Sequence, residues 1–246
     1  MGEGLVHSLE SMGLVDGPGV RSVVFLQGCA LRCRYCHNPD TWARENGRAE
    51  RYTPRRLVER LARFRPYYGQ EGGVTFSGGE PLLQPDFLAQ CLELCHQAGI
   101  RTCLDTAGCG LGDYGAILAH TDLILLDVKH YTPEGWQQVT GGSMEPFRQF
   151  LAAAQAAEVP LWVRHVVVPG LTDGEAHLAG LEAYLKTIRH IQRVELLPYH
   201  TLGVHKYAAL GIPYPLAGVP PLAGDALADW NERLNRTCCE KSEERL

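Results

Sequence analysis

The chain has no surplus of positive charge: 23 Lys and Arg stand against 28 Asp and Glu, a formal net charge of −5, and no segment gathers the basic residues. A dedicated nucleic-acid binder carries a basic stripe, so that class is excluded. No apolar run approaches the ~20 residues needed to span a bilayer. Those at 123–126 and 166–168 stop after a few residues, and no membrane partner is expected. The opening MGEGLVHSLE lacks both the basic and the apolar region of a secretory signal, which points to the cytoplasm. No G-x-G-x-x-G follows a strand-like run and no G-x-x-x-x-G-K-[ST] occurs, so the dinucleotide fingerprint and the phosphate-cradling loop are both missing. Fixed-period repeats, low-complexity tracts and heptads are missing too.

What is present is a chain of 246 residues, 45% of them hydrophobic, enough for a sizeable core in one large α/β domain or two small ones. Short β-branched or apolar runs at 20–28, 73–77, 101–106, 123–129, 161–168 and 194–200 each end in a polar or Gly-rich turn and read as strands. Helical spacing falls between and after them, at 54–65, 85–98, 112–119, 145–157, 174–190 and 224–236. Alternation of this kind implies βαβ units and a parallel sheet. Six such units make an open, partial (β/α)6 version of the TIM-like barrel, in which chemistry collects at the C-terminal strand ends. No linker divides the chain, so residues 1–246 are expected as a single domain: a short N-terminal segment 1–19, a core of about 20–200, and a C-terminal loop and helix 201–246. The Pro/Gly-rich stretch 211–224 follows the last strand, and the charged end EKSEERL reads as a solvated tail.

The nine cysteines are an odd count in a chain too long for a small disulfide scaffold, which favours metal or redox chemistry in a reducing compartment. Three of them, Cys29, Cys33 and Cys36, form a C-x3-C-x2-C array in the loop after the first strand. Iron–sulfur clusters normally take four thiolates, and no fourth appears until Cys91, in a helical pattern. A cubane held by three would leave one iron open, as a catalytic zinc leaves one position open. A structural zinc with His37 as fourth ligand, or three unrelated buried thiols, are the alternatives.

The array, with aromatic Tyr35 before its last cysteine, resembles the signature of the radical S-adenosylmethionine (SAM) enzymes. SLESMGLVDGPGVRSVVFLQGCALRCRYCHNPDTW, VVVPGLTD and ELLPYHTLGVHKY resemble segments of the pyruvate formate-lyase activating enzymes, which generate the radical of glycyl radical enzymes. The resemblance runs from the first strand to about Tyr207. It implies the radical SAM fold and one 4Fe-4S cluster on Cys29, Cys33 and Cys36. It further implies SAM contacts from Tyr35, Cys36, His37, the Ser77-Gly78-Gly79-Glu80 turn, Asp105, Asp127, Val128, Lys129, Arg164 and His200. A monovalent cation at Asp105, Thr106, Leu125 and Asp127, and recognition of a substrate peptide by Asp16, His37 and Asn38, complete the implied site. Read without the resemblance, Gly78 and Gly79 permit a close backbone approach, and Asp127 and Lys129, two apart, share a strand face as an ion pair at the rim.

The implied activity is that of an oxidoreductase. An external one-electron donor of the flavodoxin or ferredoxin type reduces the cluster, SAM is cleaved reductively, and the 5′-deoxyadenosyl radical takes a hydrogen from a glycine Cα of the partner, pyruvate formate-lyase. Other readings are activation of another glycyl radical enzyme and a non-catalytic metal module. The absence of cysteine between Cys36 and Cys91 favours the compact, single-cluster type, and a monomer is expected. Cys91 and Cys95, four apart on one helix, read as packing residues, and Cys103, Cys109, Cys238 and Cys239 as packing or surface thiols.

Overall fold

The computed structural model describes residues 2–44, 47 and 49–239; the expected tail at 240–246 lies outside the described residues. The strands are β1 (Gly4–Gly13), β2 (Arg21–Leu26), β3 (Glu50–Tyr52), β4 (Gly73–Gly78), β5 (Arg101–Thr106), β6 (Leu123–Asp127), β7 (Leu161–Val167) and β8 (Ile191–Pro198). The helices are α1 (Pro54–Ala62), α2 (Arg65–Tyr68), α3 (Pro85–Gln97), α4 (Gly115–Leu118), α5 (Pro133–Thr140), α6 (Glu145–Ala156), α7 (Glu175–Leu185), α8 (Val204–Leu210) and α9 (Ala228–Cys238). Hydrogen-bonded neighbours follow the order β3-β1-β2-β4-β5-β6-β7-β8, which is open because β3 and β8 are its two ends. The pairs β2–β4, β4–β5 and β7–β8 are parallel, whereas β1 runs antiparallel to β2 and β3. The α/β class and the open, mainly parallel order agree with the partial barrel expected from the sequence.

All six expected strands are present, with β8 beginning at Ile191 instead of 194. The two additional strands, β1 and β3, lie outside the expected set. β1 carries His7, Ser8, Glu10 and Ser11 and is largely exposed beyond its first residues, so it lacks the run of apolar residues that marks a strand buried on both faces. Helices α2, α5 and α8 were likewise not foreseen, and the expected 112–119 and 174–190 helices are shorter.

By its contacts the chain forms two compact units. The first comprises Met1–Ala30, Thr41–Leu125 and Glu145–Val159; the second comprises Leu31–Asp40, Leu126–Met144 and Pro160–Leu246. In the first unit Val23, Val24, Leu26, Val74 and Phe76 of β2 and β4 are fully buried, as parallel central strands require. Helix α1 starts at an N-cap in which Thr53 Oγ1 accepts from the Arg56 N–H, and it buries Leu57, Val58 and Leu61. Cys91 and Cys95 on α3 are fully enclosed, so their packing role stands. Arg21 is also buried, which is tolerable because its guanidinium donates to Thr75 Oγ1 (2.7 Å) and to the carbonyls of Pro18 (3.1 Å), Glu71 (3.1 Å) and Val74 (2.9 Å).

In the second unit β7 and β8 place their apolar residues mainly on one face, although Arg164 on the other is buried as well. Val163, His165 and Val167 with Val194 and Leu196 are buried, while Trp162 and Arg164 share the other face and pair in register with Arg193 and Glu195. Helix α9 lies along the outer edge of β8, where Asn235 and Asn231 bond to the main chain of Val194 and Leu196.

Candidate functional site

In the first unit β2 leads through Gln27 and Gly28 to Cys29, and β4 ends in the Ser77-Gly78-Gly79-Glu80 turn. Gly78 has φ +111°, and a Cβ there would lie 2.3 Å from the Leu26 nitrogen; one on Gly79 would lie 2.3 Å from the Gly28 carbonyl oxygen. The close approach expected at these glycines is therefore made by the chain itself. Gly79 N–H donates to Leu26 O (2.9 Å) and Glu80 N–H to Gly28 O (2.8 Å), fastening the turn to the residue before Cys29. Ser77 Oγ donates to Asp105 Oδ2 (2.6 Å), joining the C-terminal ends of β4 and β5.

Glu80 is buried, and its carboxylate is spent inward. Oε1 accepts from Thr106 Oγ1 (2.5 Å) and Leu82 N–H (3.2 Å), and Oε2 from Ala107 N–H (3.0 Å) and Cys109 N–H (3.5 Å). Burial pushes its pKa up to about 7, against the pull of these donors. Thr106 Oγ1 also accepts from Gly108 N–H (2.8 Å). Glu80 and Thr106 thus brace the turn and the start of the β5–α4 loop. Leu125, the fourth residue expected around a cation, is fully buried in β6. Asp16 stands apart at the opposite end of these strands: its carbonyl accepts from Thr75 Oγ1 (2.6 Å), the hydroxyl that Arg21 also engages.

In the second unit the cysteine loop is anchored by α5. The Arg32 and Arg34 N–H groups donate to the carbonyls of Thr140 (2.8 Å) and Val139 (2.9 Å), two of those that a helix end leaves without intrahelical partners. Gly141, φ +71°, supplies the left-handed cap there. Cys36 N–H donates to Cys33 O (3.1 Å), a tight turn between the second and third thiols. Tyr35 is buried between them, with the Lys129 ammonium 5.6 Å from its ring centroid. Burial alone would lower the Lys129 pKa, but Asp127, whose Oδ2 accepts from Nζ at 2.6 Å, carries it well above its usual value. The ion pair expected of these residues is present, and Lys129 is charged at neutral pH.

Val128, between them, is fully enclosed; its N–H donates to Arg164 O (2.9 Å) and its carbonyl accepts from His165 Nδ1 (2.6 Å). Its side chain has no exposed surface, and these bonds fix the main chain between Asp127 and Lys129. Arg164 donates from Nε to Glu195 Oε2 (3.4 Å), and Glu195 Oε1 accepts from Arg193 (2.7 Å). His37 and His200 stack with ring centroids 3.9 Å apart, and His37 Nε2 donates to the His200 carbonyl (3.3 Å). Burial lowers the His37 pKa to about 4. Asn38 Oδ1 accepts from Lys206 Nζ (2.9 Å), and Tyr207 Oη donates to Cys36 O (3.0 Å). Lys206, Tyr207, Glu195 and His165 carry no local signal in the sequence. Lys206, Tyr207 and Glu195 lie within the ELLPYHTLGVHKY segment, whose resemblance alone marks them.

The donor chemistry suits a thiolate-bound cluster. All nine cysteines are thiols. Burial pushes Cys33 up to about 12, with Lys129 pulling it back, so its thiolate needs the positive charge that iron brings. His37, the alternative zinc ligand, has its ring engaged by His200. Among the described residues no three His, Cys, Asp or Glu side chains stand ready as a metal cage, so the fit rests on the chemistry of the loop.

The sequence matches the radical SAM superfamily over residues 23–181. It is 52% identical over 217 residues to the pyruvate formate-lyase-activating enzyme of Clostridium pasteurianum, covering 88% of this chain and 90% of that one. The enzyme of the same name from Streptococcus mutans is 44% identical over 250 residues, covering 99% and 95%. Among solved structures, Streptococcus suis SuiB bound to its precursor peptide SuiA superposes with a TM-score of 0.64 at 15% identity, over 93% of this chain and 46% of that one. QueE from Escherichia coli superposes with a TM-score of 0.53 at 16% identity, over 85% and 92%; both show the fold alone. The chain belongs to the radical SAM superfamily and, within it, to the family of the pyruvate formate-lyase-activating enzymes.

Proposed function

We propose that the protein activates pyruvate formate-lyase by installing its glycyl radical. The observation that carries this reading is the Cys29-x3-Cys33-x2-Cys36 loop in a chain 52% identical, over 88% of its length, to an enzyme of that name. The cofactors are those of the superfamily, a 4Fe-4S cluster and SAM. When bound and reduced by one electron from a flavodoxin- or ferredoxin-type donor, they supply S–C5′ cleavage to methionine and a 5′-deoxyadenosyl radical, which takes a hydrogen atom from the partner's glycine Cα and leaves as 5′-deoxyadenosine.

The chain's own residues have separable tasks. Cys29, Cys33 and Cys36 would hold the cluster through their thiolates, and the cluster would supply the electron for SAM cleavage. Ser77, Gly78, Gly79, Asp105, Asp127, Lys129, Arg164 and His200, with Tyr35, Cys36 and His37, line the cofactor. Lys129, kept charged by Asp127, and Arg164, held by Glu195, suit its carboxylate. Glu80 and Val128 serve this group by bracing it. A monovalent cation at Asp105, Thr106, Leu125 and Asp127 would share Asp105 with Ser77 and Asp127 with Lys129. His37 and Asn38 meet the main chain of the partner's glycine loop; Asp16 joins them only if that loop reaches the N-terminal end of β2. The chain works as one catalytic domain and as a monomer in the cytoplasm; no described helix is long and apolar enough to cross a membrane.

The test is anaerobic reconstitution with iron and sulfide, reduction, and incubation with SAM and inactive pyruvate formate-lyase. A glycyl radical signal in electron paramagnetic resonance, with one 5′-deoxyadenosine per radical, is expected. A signal with a different glycyl radical enzyme but none with pyruvate formate-lyase would reassign the partner. No 5′-deoxyadenosine from reduced, fully loaded protein would refute the activity itself.

A further inference from the structure

Beyond β8, residues 200–207 clasp the Cys36–Asp40 stretch at several points. His37 donates to the His200 carbonyl (3.3 Å) while their rings stack. Gly203 lies against the His37 backbone so closely that a Cβ would fall 2.6 Å from the His37 oxygen and 2.8 Å from its Cα. Tyr207 Oη donates to Cys36 O (3.0 Å). Lys206 Nζ donates to both Asn38 Oδ1 (2.9 Å) and Asp40 Oδ1 (3.1 Å), and the Lys206 and Asp40 side chains are 27% and 16% exposed. The last of these has a chemical consequence that the others lack. An ammonium has donors only, whereas an Asn amide has a donor end and an acceptor end of nearly identical shape. Lys206 therefore decides which way the amide turns: Oδ1 toward Lys206, Nδ2 to the other side of Cγ. Asp40 holds the lysine in that position by charge, in a setting less screened than a surface pair.

We propose that Lys206 is a positioning residue for protein-substrate recognition, fixing the Asn38 amide so that its N–H edge is presented to a main-chain carbonyl of the incoming glycine loop. The inference rests on the reading above that Asn38 meets that loop. It adds a residue 168 positions away and the polarity of the contact. A backbone carbonyl is an acceptor in every peptide, so such a contact positions the loop without reading its side chains.

Four variants of the full-length, reconstituted enzyme test this through the rate of glycyl radical formation at varied concentrations of the partner enzyme. Iron content and the spectrum of the reduced cluster serve as checks that each variant is folded and loaded. Lys206→Met removes the donor and keeps the apolar stem; its KM for the partner is expected to rise about tenfold, with kcat within about threefold, the ratio one well-placed polar contact supports. Lys206→Arg keeps a donor-only cation and is expected to restore KM to within about threefold of wild type. Asn38→Asp still pairs with Lys206 but offers no N–H, so its KM is expected to rise as in Lys206→Met. A wild-type KM in Asn38→Asp overturns the polarity. An unchanged KM in Lys206→Met, or a loss confined to kcat that Lys206→Arg does not repair, overturns the role of Lys206. Asn38→Ala separates the two levels. If it raises KM while Lys206→Met does not, the lysine inference alone falls; if it leaves KM unchanged, the assignment of Asn38 to the peptide falls and takes the inference with it.

Discussion

The outer edge of β8 is closed by two side chains, and removing one should be measurable at a single residue. Asn235 accepts from Val194 N–H (3.0 Å) and donates to Val194 O (2.8 Å); one turn earlier, Asn231 accepts from Leu196 N–H (2.7 Å) and donates weakly to Leu196 O (3.4 Å). Each carboxamide presents the donor and acceptor that a further strand would have presented, so α9 covers the edge as a strand would. In Asn235→Ala both main-chain groups of Val194, a residue 1% exposed, lose their partners. An abandoned buried group costs roughly 1–3 kcal/mol; water reaching an edge strand limits the pair to the lower part of that range, about 2–3 kcal/mol together. At 1.4 kcal/mol per decade this corresponds to roughly 30- to 150-fold faster amide exchange at Val194. The perturbation has a functional reach as well. Glu195, between the two capped residues, holds Arg164, so a loosened edge should weaken SAM binding, readable as a raised Kd. The assay is residue-resolved hydrogen exchange, with Leu196 as the neighbour still capped by Asn231 and Thr75 in the first unit as control. Unchanged exchange at Val194 would refute the edge-cap argument, and equal acceleration at Thr75 would replace it with global destabilisation.

Three further outcomes follow from geometry already described. Gly79→Ala places a Cβ where the Gly28 oxygen allows 2.3 Å, so the turn must part from β2 at a cost of roughly 2–4 kcal/mol; a lower melting temperature and reduced iron uptake are expected, and wild-type values for both would refute the steric account. His165 is buried and its pKa is lowered to about 3 by burial, from 6.5. The unfolded chain thus takes up a proton that the folded one refuses, and stability falls as pH drops below about 6.5, by about 2 kcal/mol at pH 5. His165→Gln should flatten that acid limb in denaturant titrations, and an unaltered slope would refute it. Cys36→Ala should lose the cluster, so a variant that retained wild-type iron content and still made 5′-deoxyadenosine would sink the ligand assignment.

Among the six strands expected from the sequence, those such as Arg21–Leu26 and Leu123–Asp127 were legible because burial on both faces demands a near-continuous apolar run. β1 escaped because an antiparallel strand with one solvated face needs no such run, and its polar residues face outward. α5 did carry a legible signal, Thr132 as N-cap followed by Pro133 at the first position, yet PEGWQQVT is too short for periodicity to register. The site divides in the same way. The cysteine array and the glycine pair are written in adjacent residues, so spacing or the absence of a Cβ reveals them. Glu80 shows the limit of that reading: the motif names the residue, but only the donors converging from Leu82, Thr106, Ala107 and Cys109 show that its carboxylate faces inward. Lys206 and Asn235 mark the other limit. Their partners lie 168 and 41 residues away, and a lysine or asparagine on a helix is by type a surface residue. What makes either of them matter is the backbone position of a distant partner, a property of the folded register that no window of sequence contains. A motif can therefore identify the residues assigned to iron and cofactor while leaving unread the distant side chains that bond to their neighbours.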